Sequence, residues 1–350
     1  MDQVTRSLKL IGELVPLPIG KNKHYSQDQA YQLLFIMSAM HWFFEGPSNY
    51  FASLFPGLLP QADTVLLRLK KIPFEQVQQG FDSLIEHHVK LARQLNFLSG
   101  KVWIAIDGHD REFYGEPNSF TRGSKFKNGT STFYSYMTAS VVKDACRLVI
   151  AQLPYLPLDE PTQTTEKLLA VCSKHVHVGL LLLDRGFYSS TIVRMLKNKG
   201  LTYIMPAVKH KNIEKIIAGI RKFPCEMNLM LKDEPVRLVF VQVLDKENKP
   251  KVLVFCTNLE IIPEKLTVYY ASRWGIETGY RCIEDFAAKT CSTHPTVRLF
   301  LFYFAVALFN AWVMVNIQTM EREHVTGIFI RLHILMNVLA TAMNAWPPPA

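Results

Sequence analysis

The chain has 350 residues, a hydrophobic content of 49% and a formal charge of +9. That length exceeds one average domain, and the apolar share supplies a large buried core and excludes a disordered chain. The basic balance favours polyanionic partners, nucleic acid first, through phosphate contacts and counterion release.

The first hundred residues read as helical. Ser26 predicts the N-cap of a helix through DQAYQLLFIMSAMHWFF, which Gly46 and Pro47 then break. Asp63 or Thr64 starts a short helix, TVLLRLKK, with Arg68, Lys70 and Lys71 near its end. Pro73 precedes a longer amphipathic helix through LIEHHVKLARQL. The spacing suits a helix-turn-helix-like module in which those three cations contact DNA, and it suits a plain helical cap equally well.

The texture changes at Lys101. VWIAI at 102–106 is a compact apolar run ending in Asp107. Phe120–Gly129 reads as a basic, Gly-containing loop or hairpin turn, with Arg122, Lys125 and Lys127 as phosphate-contact candidates. Strands follow at 133–142 and 146–154, and then a helix over 162–175. GLLLLD at 179–184 is a fully apolar strand ending in Asp184, and such unalternating runs fit strands buried on both faces. A helix near 189–199 and the strand LTYIMP complete an alternating α/β pattern.

Residues 209–258 interrupt that pattern with the basic run KHKNIEKIIAGIRK and two strands, VRLVFVQVL and KVLVFCT, read as a β-rich insertion carrying a hairpin. Helical patterns return over 263–289, 296–317 and 327–344. The run at 297–317 is long and apolar enough to suggest a membrane span, but Arg298, Asn310 and Asn316 interrupt it. A buried core helix and no membrane partner are expected. The six cysteines form no CxxC pair, which indicates reduced thiols in a cytoplasmic protein. The opening residues carry no long apolar segment, so no signal peptide is expected.

Two strands thus end in aspartate, and a later helix carries Glu277. Three converging carboxylates would bind two hard cations through oxygen, which suits phosphoryl transfer. A lone Asp at a strand end is otherwise a turn residue or a helix cap. Around Glu277 the sequence is Tyr270-Ala-Ser-Arg273-Trp-Gly-Ile-Glu277, continuing to Glu284. On one helix at about 100° per residue, Tyr270, Arg273, Glu277 and Glu284 share an edge. Tyr269, Ile276, Tyr280, Ile283 and Ala287 form the adjoining apolar stripe. A solvated Arg–Glu pair is the plainer explanation, but Gly275 and Gly279 argue against a purely structural helix. Asp107-Gly-His109-Asp110 and His175-Val-His177 also offer metal-hydrolase ligands, although isolated histidines are more often structural.

Tyr-x2-Arg-x3-Glu resembles the signature of DDE transposases of the IS-four-like superfamily, whose pattern ends in x6-Lys. The chain matches at Tyr270, Arg273 and Glu277 and departs at Glu284, where Arg281 is the nearby candidate for the missing cation. LLLDRGFYSS and AIDGHD resemble the segments that hold the family's two aspartates, and the halophile-type ISH branch is the most similar. The resemblance covers roughly 100–318. It implies an α/β, RNase H-like catalytic core with a β-rich insertion, preceded by a helical N-terminal region and followed by C-terminal helices. The divisions expected are 1–100, a candidate for DNA-end binding; 101–208 with 259–318, the catalytic core; 209–258, the insertion; and 319–350. The resemblance further implies catalytic and metal-binding roles for Asp107, Asp184 and Glu277, and DNA contacts for Tyr270 and Arg273. Two Mg2+ or Mn2+ ions, double-stranded DNA as transposon ends and target, and a homodimer or higher multimer on DNA are expected with them. The nucleoid is the expected location. A nuclease without strand transfer and an inactive DNA-binding remnant are the alternatives.

Overall fold

The computed structural model describes residues 9–19, 24–143, 146–319 and 326–344. The chain divides into two compact units, each assembled from separated stretches. One comprises Leu98–Asp110 and Ser135–Thr278; the other comprises Met1–Phe97, Arg111–Tyr134 and Gly279–Ala350. The strands are β1 (Lys101–Glu112), β2 (Arg122–Lys127), β3 (Thr130–Lys143), β4 (Cys146–Pro154), β5 (His177–Leu183), β6 (Tyr203–Pro206), β7 (Cys225–Leu231), β8 (Glu234–Leu244) and β9 (Pro250–Thr257).

The first unit is built on a mixed sheet. β4 pairs β3, and from β3 the order runs β1-β5-β6-β9-β8-β7. β1, β5 and β6 are parallel neighbours, and the remaining pairs from β6 outward are antiparallel. The unalternating runs behave as expected: Ile104, Ala105 and Ile106 of β1 and Leu180–Leu183 of β5 are buried. The helix Pro161–His175 packs on β4 and β5, and Ser190–Asn198 packs on β8 and on that helix. Ser189 caps the latter by accepting from the Ile192 N–H, and its Ile192, Val193, Met195 and Leu196 are buried. Each such side chain stabilises the unit by about 1.5–3 kcal/mol relative to exposure.

The segment 209–258 holds one strand more than the hairpin expected. β7 alternates between half-buried and exposed positions, so it carries no apolar run to read. These strands continue the same sheet, since β9 pairs with β6.

The second unit is mostly helical. Pro295–Thr319 is long and apolar enough to cross a membrane, yet 94% of its apolar window is buried inside the protein. It packs against Phe74–Gln94 and Ala62–Lys70. Phe300 and Phe304 stack on each other and meet Tyr31, Phe35 and Phe81.

Ser26 caps Gln27–Met40 through a reciprocal capping box with Gln29. The helix ends earlier than the pattern predicts, because His41 adopts a left-handed conformation with φ 52°. Gly46 and Pro47 fall in the first turn of the next helix, Glu45–Leu54, where a missing N–H costs little. The short helix Ala62–Lys70 starts one residue before the expected Asp63, and its Arg68 donates to the Tyr25 and Ser26 carbonyls at 2.6 and 3.1 Å. β2 and the start of β3 form a hairpin closed by Asn128 and Gly129, both at positive φ, as a two-residue turn of this hand requires. Cys172, Cys225, Cys256, Cys282 and Cys291 are free thiols.

Candidate functional site

Parallel register sets the site. Ile106 of β1 lies opposite Leu183 of β5, the last pair of that register. Asp184 follows the end of β5, whereas β1 runs on to Glu112, so Asp107 sits within its strand where the pairing to β5 stops and not at the strand end expected from VWIAI. Asp184 caps a 3-10 turn, its Oδ1 accepting from the Gly186 N–H at 2.7 Å. Asp107 Oδ1 accepts from the Gly108 N–H at 2.8 Å.

Glu277 reaches the same place by a route the helical wheel misses. The continuous helix expected over 263–289 is two helices, Pro263–Ala271 and Trp274–Asp285. Between them the chain tightens to i→i−3 bonds: Arg273 N–H to Tyr270 O, Gly275 N–H to Ser272 O and Ile276 N–H to Arg273 O. A close approach accompanies the break. A Cβ at Gly275 would lie 1.5 Å from Arg147 Nε and 2.2 Å from its Cζ. The glycine lets the start of the second helix pass against the Arg147 guanidinium.

Arg273 stands in the break and joins two carboxylates. It donates through Nη1 to Asp107 Oδ2 at 3.1 Å and through Nη2 to Glu277 Oε1 at 2.5 Å. Its side chain is 9% exposed, against 17% for Asp107 and 43% for Glu277, so the arginine is the buried hub. The guanidinium also lies over the Tyr270 ring, 5.5 Å from its centroid, and Phe255 supports that ring at 5.3 Å. Of the apolar stripe, Ile276, Tyr280, Ile283 and Ala287 are buried, and Tyr269 packs on Trp103. A pocket of about 580 Å3 is lined by Asp184, Arg185, Gly186, Pro206, Tyr270 and Arg273. It opens at the carboxyl ends of β5 and β6, where ligands of α/β sheets bind.

Burial, reinforced by the Asp184 carboxylate, pushes Asp107 up to about 7, against the opposing pull of Arg273 and the Gly108 N–H. Burial likewise lifts the Tyr270 hydroxyl to about 12. The Asp107 shift has a definite sign. A carboxyl raised in the folded state contributes stability that is present below its ordinary value of 3.8 and is lost as pH rises toward 7. Below 7 a cation bound at Asp107 would have to displace its proton. Mg2+ binding followed by calorimetry is therefore expected to release a proton at pH 6 and none at pH 8.5, with affinity rising between. Equal proton release at both values would show that Asp107 is no ligand.

The donor set suits a hard cation, being three carboxylates without sulfur or imidazole. Among the described residues no three His, Cys, Asp or Glu side chains stand close enough to hold an ion as placed. Arg273 occupies the charge-neutralising position between Asp107 and Glu277, so the carboxylates fit a cation once the guanidinium swings aside.

Asp107, Asp184, Tyr270, Arg273 and Glu277 all belong to the sheet-based unit. Arg281, Arg122, Lys125, Lys127, Arg68, Lys70 and Lys71 belong to the helical unit. Arg281, Lys125, Lys127, Lys70 and Lys71 are exposed, Arg122 is half-buried, and Arg68 is committed to backbone carbonyls. Arg111 donates in a fork to Glu284, Nε to Oε1 at 3.2 Å and Nη2 to Oε2 at 3.3 Å. Asp110 accepts from Ser135 Oγ at 2.6 Å, so the DxH reading of 107–109 assembles no ligand group among the described residues. Sequence reasoning missed Arg147, Arg185 and the need for a glycine at 275. Arg185 was legible as the cation next to Asp184; Arg147 sits in an ordinary strand pattern with no signal.

The family described as "Transposase DDE domain" matches residues 98–309. A solved structure of the piggyBac transposase synaptic complex with hairpin DNA is similar in fold, with a TM-score of 0.65 and 14% identity. The similarity covers 99% of this chain and 79% of that one. No curated protein sequence matches the chain.

Proposed function

The chain belongs to the DDE transposase-domain family, and we propose that it cuts DNA at transposon ends and joins them to target DNA, with Asp107, Asp184 and Glu277 as its catalytic carboxylates. One observation carries this reading: Asp107 and Asp184 follow the last register pair of two adjacent parallel strands, and Arg273 ties one of them to Glu277.

The three carboxylates would hold two Mg2+ or Mn2+ ions, which activate an attacking oxygen and stabilise a leaving one in phosphoryl transfer. The protein's own groups do the rest. Arg273 keeps Asp107 and Glu277 together and screens their repulsion before ions arrive. Once released it can donate in a fork to a phosphate, as lysine cannot. Tyr270 offers one hydroxyl hydrogen bond in the same pocket, and Arg185 adds an exposed cation at its rim. The exposed Lys125, Lys127, Lys70, Lys71 and Arg281, with Arg122, would track the DNA backbone.

The Tyr270-Arg273-Glu277 spacing supports placement in the IS-four-like superfamily, nearest the ISH branch. A synaptic complex in the similar structure supports DNA as partner and assembly as a homodimer or higher multimer. The helical region before residue 100 would grip transposon ends, and the protein would work at the nucleoid. Glu284, locked to Arg111 where the signature has lysine, favours as second reading a nuclease or inactive remnant that does not join ends.

A strand-transfer assay separates these readings. Full-length protein with Mg2+, pre-cut ends from the flanking DNA and a supercoiled target is expected to yield joined products. Cutting without joining would leave the nuclease, and neither reaction would leave the remnant.

A further inference from the structure

Away from the carboxylates, the helical unit carries two pockets that share His41, Phe43 and Lys289. One has a volume of about 710 Å3 and the other about 470 Å3. Their shared wall is an aromatic ring with a cation: Phe43 is 49% exposed, and Lys289 Nζ lies 5.9 Å from its ring centroid. Trp42 and Tyr50 line the smaller pocket, and Tyr114, 70% exposed, lines the larger. Large aromatics left in water beside unpaired apolar walls are the unusual feature, since exposed faces of this kind normally meet a partner.

The arrangement is built. Lys289 N–H donates to Trp42 O and Phe44 N–H to Lys289 O, both at 2.8 Å, which clamps the two segments back to back. Glu45 Oε1 accepts from Thr290 Oγ1 and from the N–H groups of Cys291 and Ser292, fixing the chain just beyond the lysine. The larger pocket is also lined by Arg298, whose guanidinium packs over Phe113 and Tyr134 at 5.5 and 5.9 Å. Its acidic residues are matched: Glu284 by Arg111 at 3.2 Å and Glu112 by Lys127 at 3.6 Å. Arg298 Nε is held by the Ser292 carbonyl at 2.7 Å, which fixes its guanidinium beside the rings, and the half-buried Lys289 adds an ammonium next to Phe43.

We propose that this double pocket binds unpaired nucleotides of single-stranded DNA, with bases against Phe43 and Tyr114 and the backbone on Lys289 and Arg298. A base inside a duplex shows only its edges to a protein, whereas an unstacked base offers a face that aromatic rings stack on regardless of sequence. Two pockets divided by one ring suit consecutive bases, and their volumes suit ligands of nucleotide size. Cations beside the rings meet the phosphates that connect such bases. The exposed Lys125 and Phe126 of the β2 hairpin extend the same chemistry from Lys127, which pairs with pocket residue Glu112. The proposal rests on the transposase reading only for the choice of DNA over RNA.

The test uses the full chain with EDTA present, so that the carboxylate site makes no metal-dependent contribution. Anisotropy is measured for labelled single-stranded and duplex oligonucleotides of about 10 nucleotides, a length typical of such sites. Single-stranded DNA is expected to bind, and Phe43→Ala to weaken it by roughly tenfold or more. Phe43→Tyr, which keeps the ring, should retain binding, and Lys289→Gln should weaken it and flatten its salt dependence. Duplex binding should stay within about twofold in all three variants, a margin of ~0.4 kcal/mol. Unchanged single-strand affinity in Phe43→Ala, or an equal loss on duplex, would overturn the site. Equal affinity for a ribo-oligonucleotide would overturn the choice of DNA. Asp184→Asn should keep single-strand binding, so failure of the carboxylate assignment and failure of this pocket are read separately.

Discussion

Asp184→Asn is expected to abolish Mg2+-dependent DNA cleavage, by roughly a thousandfold or more, equivalent to about 4 kcal/mol of barrier. Duplex binding should stay within about twofold of wild type, ~0.4 kcal/mol. The argument is one of charge at constant shape. Asp184 Oδ1 accepts from the Gly186 N–H, and an asparagine oxygen can accept the same bond, so the 3-10 turn of Arg185–Phe187 survives. Only the negative charge that would hold a cation is removed. Asp107→Asn and Glu277→Gln should act alike, with one difference in stability. Asp107 is a carboxyl that burial and Asp184 already push up to about 7, so neutralising it should leave the folded protein at least as stable above neutral pH. Melting curves with and without Mg2+ check this. Cleavage by any of the three variants at near wild-type rate would remove that residue from the catalytic set.

Gly275→Ala should act on the site through Arg147, more weakly than loss of a carboxylate. The added Cβ would fall 1.5 Å from Arg147 Nε, so the guanidinium or the helix bearing Glu277 must move. Overpacking of this kind costs about 1–3 kcal/mol. If the helix yields, Glu277 leaves Arg273 and with it Asp107. Because the atoms met are the far end of a flexible side chain, the guanidinium takes up most of the shift, and a loss of cleavage by roughly tenfold is expected, equivalent to ~1.4 kcal/mol of barrier. A double variant separates the causes. Gly275→Ala with Arg147→Ala removes the collision and should recover part of the activity, a non-additivity that distant sites do not show. A double variant no better than Gly275→Ala alone would mean that the glycine serves its own backbone and not the arginine.

The site was readable where local pattern carries the information. VWIAI and GLLLL are unbroken apolar runs, each closed by an aspartate; β5 stops there, but β1 runs on to Glu112, which its apolar run does not reveal. What local pattern could not supply was adjacency. Nothing within either run says that β1 and β5 are parallel partners in a register that sets Ile106 opposite Leu183. The break at Ser272–Arg273 stayed hidden for the same reason. Residues 263–285 have ordinary helical periodicity, and the chain tightens against Arg147 on the distant strand β4. The helix wheel that singles out Glu277 assumes an unbroken helix, whereas the chain brings Glu277 to Arg273 across a break between two helices. The strand β7 escaped because CEMNLML alternates without β-branched residues. Burial of Pro295–Thr319 was anticipated from Arg298, Asn310 and Asn316, but its packing on Phe74–Gln94 is a long-range fact.

That last pairing carries a consequence for synthesis. A nascent chain leaves the ribosome from its N-terminus at about 5–20 residues per second, and domains fold as they emerge. Every stretch of the sheet-based unit has been translated by Thr278, whereas the helical unit still lacks Pro295–Thr319, the apolar helix around which its early helices close. The roughly 40 residues from Gly279 to Thr319 take some 2–8 s at that pace. Through that interval Phe74–Gln94 lacks this partner, and Phe81 lacks the Phe300 and Tyr303 rings that it meets in the folded chain. A translational stall or a premature stop before Thr319 therefore releases a product with a formed sheet and a sticky helical fringe, a natural client for chaperones and proteases.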